Sequence, residues 1–313
     1  MSEFVYPVRA LSMSRDLHFK EFTHLHYKTF NKTLGNLDKD IFEIYVNKLL
    51  SDLCTTDVDI DTLTVLDKFY ILLNIRAYCV SPTITFQTLT IGEKPEKLNI
   101  EINLNDMLDT LYDVKLEYGF SIGDDHLTIK GNFPKQFHFD DVYDIAIDSI
   151  TDVIFGTKPV PFNNLDKDEK KEVFGKLPSF AITRIIEHLQ KQDGILRHKP
   201  IVDIKTKHDI EMRKQIYPSI LDGSLPEIIK VMFKSPLKEF YVNEYQLIRR
   251  FKFSMDAINK CTPAELGLYF NIISQDLERE KKEQERAQGH NNMGAGGAPV
   301  GGMPEGGMPQ QGF

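Results

Sequence analysis

Apolar residues crowd so closely in LTVLDKFYILLNIRAYCVSP (63–82) that a helix drawn through them keeps almost no polar face. Leu66, Phe69, Tyr70 and Leu73 form one stripe, and Ile71, Leu72 and Ile75 cover most of the remainder. A helix apolar nearly all round is one that other elements cover on most sides. Thr64 and Asp67 supply a T-x-x-D start, in which the hydroxyl accepts a backbone N–H that the first turn leaves free. Ser81-Pro82 ends the run, because proline disfavours helical backbone in the residue before it. This helix is expected at the centre of a core, with Arg76 as the odd charge inside it. Arg76 reads in two ways: a structural group, snorkelling or paired with a carboxylate of its own chain, or a grip on a partner.

Around that centre the pattern changes period. Residues 1–22 read as extended, with LHFKEF (17–22) the best strand, and helices follow over about 23–34 and 39–54, the second with Ile41, Ile44, Tyr45 and Leu49 on its repeat. Past residue 82 come the β segments ITFQTLTI (84–91), KLNIEINL (97–104), VKLEYGFSI (114–122) and HLTIKGNF (126–133), with a short helix near 105–112 capped by Asn105. Glu101, Lys115 and Glu117 alternate with apolar neighbours, as in strands with one wet face. Gly123-Asp124-Asp125 fits a hairpin turn.

From residue 139 onward the reading is almost wholly helical. DDVYDIAIDSITDVIF (140–155) is expected as one helix ending at Gly156, followed by helices over 166–176 and 178–194 that each close near a glycine. Steps of three and four place Asp141, Asp144, Asp148 and Asp152 on one face of the first of these, where neighbouring carboxylates repel. That face is either a solvated exterior or a seat for a basic partner. Ser224 with Glu227, and Thr262 with Glu265, read as capping boxes. The second opens a helix over 262–288 with Leu266, Tyr269, Phe270, Ile273 and Leu277 on an apolar stripe, and beyond Leu277 the chain turns all-charged. The last 25 residues hold 9 of the 19 glycines, three prolines and two copies of GGMP, a composition too poor in apolar groups to repay ordering.

The expected architecture is α+β: an N-terminal unit of helices and a small antiparallel sheet over 1–135, a mostly α-helical region over 136–288, and a disordered tail over 289–313. Charge is unevenly spread. The net −8 argues against a general nucleic-acid binder, yet residues 101–152 carry twelve acids against three lysines while residues 176–260 carry sixteen bases against ten acids. Two such regions can face each other within a molecule or join neighbours in an assembly, so self-association stays open. Cys54, Cys79 and Cys261 are too few and too scattered for a disulfide framework or a zinc ribbon. No signal-peptide stretch or membrane span is legible, and a reducing cytoplasm is the expected setting.

Chemistry is hard to find. Asp57, Asp59 and Asp61 imitate the start of a calcium loop, but Thr62 stands where the sharp turn needs glycine and Lys68 where the bidentate glutamate belongs. His24 and His26 point apart on a helix, and no nearby ligand completes a zinc set. Nucleophile elbow, zincin, Walker and dinucleotide motifs are all absent, which removes the positive case for an enzyme. No cofactor or metal is expected.

The order of segments is more telling. An extended piece with Phe19 and Phe22, a helix through 39–54, an acidic linker, an L-x-x-x-D-K-F-Y-x-L-L-x-x-R helix and a β segment at 84–91 follow one another. Over residues 5–115 this succession resembles the baseplate hub subunit family of contractile-tailed, T-even-type phages. Members often carry a cysteine-rich insert after the arginine helix; the equivalent 85–102 has no cysteine, so no metal is implied. Residues 237–280, with Thr262, Pro263 and Glu265 in a T-P-x-E helix, resemble the end of hub assembly catalysts and tail-assembly chaperones. Together the resemblances imply a non-enzymatic assembly protein that binds hub or tape-measure proteins in the host cytoplasm, with a permanent place in the virion baseplate as the alternative. An enzyme with an unrecognised site is the third possibility.

Overall fold

The computed structural model describes residues 4–13, 15–35, 39–89, 97–124, 126–200, 202–204 and 214–293. The chain is α+β and divides into two units, Met1–Ala264 and Glu265–Phe313.

The first unit opens with the antiparallel hairpin β1 (Val5–Arg9) and β2 (Asp16–Lys20). Alternate residues Tyr6, Val8, Leu17 and Phe19 turn inward, as period-two strands with one covered face require. Helices α1 (His24–Leu34) and α2 (Lys39–Leu53) follow. The buried side of α2 is Phe42, Val46, Leu49, Leu50 and Leu53, while Ile41 and Ile44 lie exposed. The expected repeat through Ile41 and Ile44 is therefore turned outward, because the longer i, i+4, i+7, i+8, i+11 set outweighs it.

α3 (Val65–Cys79) is the centre that its sequence promised. Thr64 Oγ accepts from Asp67 N at 3.2 Å, and Asp67 returns the favour by accepting from Thr64 N at 3.1 Å. Asp67 also takes both N–H and hydroxyl of Ser12, so one buried carboxylate closes the helix start and fastens the β1–β2 loop.

Beyond it, β3 (Thr83–Leu89) pairs antiparallel with β4 (Lys97–Asn103), which runs directly into α4 (Leu104–Asp113). The cap of α4 is Asn103, which accepts from Asn105 N; the expected cap, Asn105, is already helical. The four-stranded antiparallel sheet is β5 (Phe120–Gly123), β6 (Leu127–Gly131), β7 (Ile150–Phe155) and β8 (Lys158–Pro161), in that order. Of the segment expected as a strand over 114–122, only the end is strand.

The largest departure lies at 140–155. α5 (Val142–Ser149) lasts only eight residues, and the chain then becomes β7 without a linker. Ile150, Thr151, Val153 and Ile154 are β-branched and suit a strand, and the sheet edge at β6 is there to receive them. Gly156 stops no helix; with φ +60° it takes the first place of the two-residue turn between β7 and β8. Gly131 is fixed by close approach: a Cβ there would lie 2.3 Å from the carbonyl oxygen of Ser149.

The remainder of the unit comprises α6 (Lys167–Gly175), α7 (Ser179–Leu196), the short pair β9 (Val202–Ile204) and β10 (Lys214–Ile216), α8 (Ser224–Phe233), α9 (Leu237–Phe251) and α10 (Met255–Lys260). α7 passes through Gly194 to Leu196, beyond the expected stop. Ser224 forms no capping box: Gly223 is the cap, and the Ser224 hydroxyl accepts from Ser219 N instead. One hydrophobic core runs from Tyr6 to Phe240 and includes residues on both sides of position 135.

The second unit is α11 (Pro263–Met293), which begins just inside the first unit and runs five residues past the expected end at 288. The expectation of a disordered tail falls, from residue 294 on, outside the described residues.

Candidate docking surfaces

The switch from α5 to β7 takes Asp152 off the expected helix face, while Asp144 and Asp148 stay four residues apart on α5 and Asp141 stands at its cap. Asp141 is the cap of α5 and accepts from Tyr143 N and Asp144 N at 2.8 and 2.9 Å. Asp144 reaches Lys171 at 3.5 Å. Asp148 accepts the backbone N–H groups of Lys135 and Gln136. Asp152 stands on the strand, opposite Pro161 and Lys130. A helix-period count carried across a helix–strand junction groups side chains that the backbone sends in different directions. Three of these carboxylates serve the fold.

Asp148 belongs to a polar latch over the loop after β6. Lys68, all but fully buried on α3, donates to the carbonyl of Lys135 at 2.7 Å and reaches Glu43 of α2 at 3.3 Å, while Glu43 accepts from Phe137 N at 2.7 Å. Burial pushes the Glu43 carboxyl up, against the opposing pull of Lys68. Backbone groups of this loop thus find partners on α2, α3 and α5.

Arg76 is buried and serves the fold, with no carboxylate partner among the described residues. Its Nε donates to the carbonyl of Met232 at 3.0 Å and its guanidinium to that of Ser81 at 2.8 Å. It ties the end of α3 to the last turn of α8, whose final carbonyls lack intrahelical partners.

The two histidines also find places within the fold. His24 Nε2 lies 3.1 Å from Glu244 Oε1, and His26 Nδ1 accepts from Thr23 N at 3.1 Å. Among the described residues no group of three His, Cys, Asp or Glu is placed to hold a metal ion. Asp59 caps a single 3-10 turn by accepting from Asp61 N, and Asp61 accepts from Asn47.

Two helices present apolar side chains to water. On α11, Leu266 is buried and Phe270 and Ile273 are half-buried, whereas Leu268, Tyr269, Ile272 and Leu277 are exposed, Leu268 by 64%. The expected stripe is therefore half covered, and a flank through Leu268 and Ile272, four residues apart, lies beside it unread by the sequence analysis.

α9 is sharper. Its inner face is Phe240, Glu244 and Leu247, and the buried Glu244 accepts from Lys28 of α1 through both oxygens, at 2.7 and 2.8 Å. Its outer face carries Lys238, Tyr241, Tyr245 and Arg249 at steps of three, four and four, with Val242 and Gln246 beside them along a shallow groove. Arg249 donates to the Tyr245 hydroxyl, and the Lys28 ammonium lies 4.4 Å from the Tyr241 ring centre. The spacing was visible in LKEFYVNEYQLIRRF; what the sequence withheld was which face Glu244 would pull inward.

Set against known families, residues 3–222 match the model of the T4 bacteriophage base plate protein family. The chain belongs to that family. No curated protein and no solved structure matches it. A role in a phage base plate follows from membership. The matched span takes in β1 to β10 and is wider than the resemblance over 5–115, and it ends before α8. The resemblance of 237–280 to assembly catalysts therefore lies outside it. Among the described residues no helix of this base plate protein is long and apolar enough to cross a membrane.

Proposed function

We propose that the chain is a non-enzymatic assembly protein of the base plate hub, and that it binds hub or tape-measure components through the apolar flank of α11. The observation that supports this reading is the exposure of Leu268 and Ile272, four residues apart on one flank of the helix. Each such side chain moved from water into a groove is worth about 1.5–3 kcal/mol, so a partner that covers both gains substantially. An amphipathic helix laid into an apolar groove is a recurrent mode of protein recognition. The charged run EREKKEQER (278–286) keeps the rest of the helix soluble and offers polar rim contacts.

The test is capture from infected cells of the full chain and of a Leu268→Glu, Ile272→Glu variant, followed by mass spectrometry of purified particles. Loss of base plate components from the variant alone supports the reading; equal capture by both overturns it. Absence of the chain from finished particles marks an assembly factor working in the host cytoplasm. Stoichiometric presence marks a permanent subunit, the second reading.

A further inference from the structure

Two surfaces of the first unit are complementary, and both lie largely open to water. On α9 the outer stripe Lys238, Tyr241, Tyr245 and Arg249 is joined by Arg250 and extends over roughly 16 Å of helix axis. Tyr241 and Tyr245 are 49% and 57% exposed. On α4 the buried residues are Leu104, Met107, Leu108 and Leu111, which leaves Asp106, Asp109 and Asp113 together on the outer side. Tyr112 and Tyr78 are exposed. Tyr112 directly precedes Asp113 on the same helix.

Asp109 and Asp113 are poorly placed for their own helix, whereas Asp106, in its first turn, accepts from Asn103 Nδ2 at 3.2 Å. Asp106, Asp109 and Asp113 repel one another at steps of three and four, and the last two lie at the negative end of the helix dipole. Lys115 is the one base between Lys97 and Lys130. Among the described residues neither these three acids nor Lys238, Arg249 and Arg250 form an ion pair within the chain. α4 packs on α3, and α9 packs on α1 and α10. A cation stripe with exposed tyrosines and an acid stripe with exposed tyrosines have the composition of two halves of one interface: aromatic anchors with a charged, register-setting border.

We infer that the outer face of α9, through Tyr241, Tyr245, Arg249 and Arg250, docks on the Asp106–Asp109–Asp113 face of α4 in a second copy of this chain. Because the two faces differ, the contact is head-to-tail and continues into a ring or an open chain. It involves none of the α11 residues of the preceding section and stands or falls separately.

Sedimentation velocity of the full chain over a concentration series, at low and at high salt, provides the test. Three proteins are compared: the wild type, Arg249→Gln with Arg250→Gln, and Asp109→Asn with Asp113→Asn. The wild type is expected to associate and to dissociate as salt rises. Each double variant alone should associate at least about tenfold more weakly, with unchanged circular dichroism. Mixed in equal amounts, the two variants retain one intact pair of faces, so they should form a one-to-one dimer that grows no further. A wild type that stays monomeric throughout overturns the inference. So does association that survives either double substitution, or association abolished by Leu268→Glu alone.

Discussion

α3 and α9 are both fifteen residues long, yet thirteen residues of α3 are buried and only three of α9 are. The difference separates two ways of using a helix. α3 gives its whole circumference to the core and carries its polar groups inward on purpose: Asp67 closes the helix start, Lys68 holds a loop, and Arg76 holds the end of α8. α9 gives the core one narrow strip and fastens it with a single carboxylate, leaving the opposite side for other contacts. A buried charge is therefore a structural rivet in both helices, and a continuous exposed stripe through Tyr241 and Tyr245 distinguishes the second.

If that contrast holds, the inner strip of α9 should behave like α3 and its outer strip should not. The largest effect is expected for Glu244→Ala, which leaves Lys28 buried without its partner and should cost about 3–5 kcal/mol in denaturant unfolding. A loss below about 1 kcal/mol would show that α9 is not anchored through Glu244. Leu73→Ala, in fully buried surroundings on α3, should cost about 2–5 kcal/mol by the same measurement; a harmless change there would deny α3 its central place.

Asp148→Ala should cost about 1–2 kcal/mol, because the N–H groups of Lys135 and Gln136 lose their acceptor. Asp144→Asn, at an exposed pair with Lys171, should stay within about 0.5 kcal/mol. Equal effects at the two positions would restore the single acidic stripe. A fourth expectation concerns pH. Burial, against the pull of Glu244, holds the His24 imidazole below its ordinary value of 6.5, so the unfolded chain takes up a proton that the folded chain refuses. The stability tied to that group is present above about 6.5 and lost as the pH falls through its folded value. His24→Gln should flatten the fall of melting temperature between neutral and mildly acid pH, and an identical slope in the variant would sink the assignment. Smallest of all, Tyr245→Ala should shift monomer stability by no more than about 0.5 kcal/mol; a larger loss would place the outer strip of α9 in the core.

Sequence was a good guide where structure is made locally. The start of α3 at Thr64 and Asp67, its unbroken apolar surface, and the helices α6, α7 and α11 all follow from neighbours three or four residues away. It misled at 140–155, where Val142 to Ser149 keep a helical period and Ile150 to Phe155 an extended one, and only the waiting edge of β6 decides the switch. The β-branched run followed by Gly156-Thr157 was the available signal. The docking surfaces were half legible. The stripe on α11 was visible, while the outer face of α9 depends on Glu244 finding Lys28 far earlier in the chain, and no local pattern announces such a partner.

That separation has a consequence for how the protein is made. Lys28 waits for Glu244, 216 residues further on, and Asn31 waits for the carbonyl of Phe233, 202 residues on. At roughly 5–20 residues per second, about 10–40 s of synthesis pass before the first helix meets the groups that complete it. Throughout that interval Phe22 and Phe30, whose rings later rest against Phe233, lack their cover. α1 is thus translated long before the groups that complete it, and emergence of α8 and α9, rather than that of α1 itself, sets the moment at which this part of the core can close.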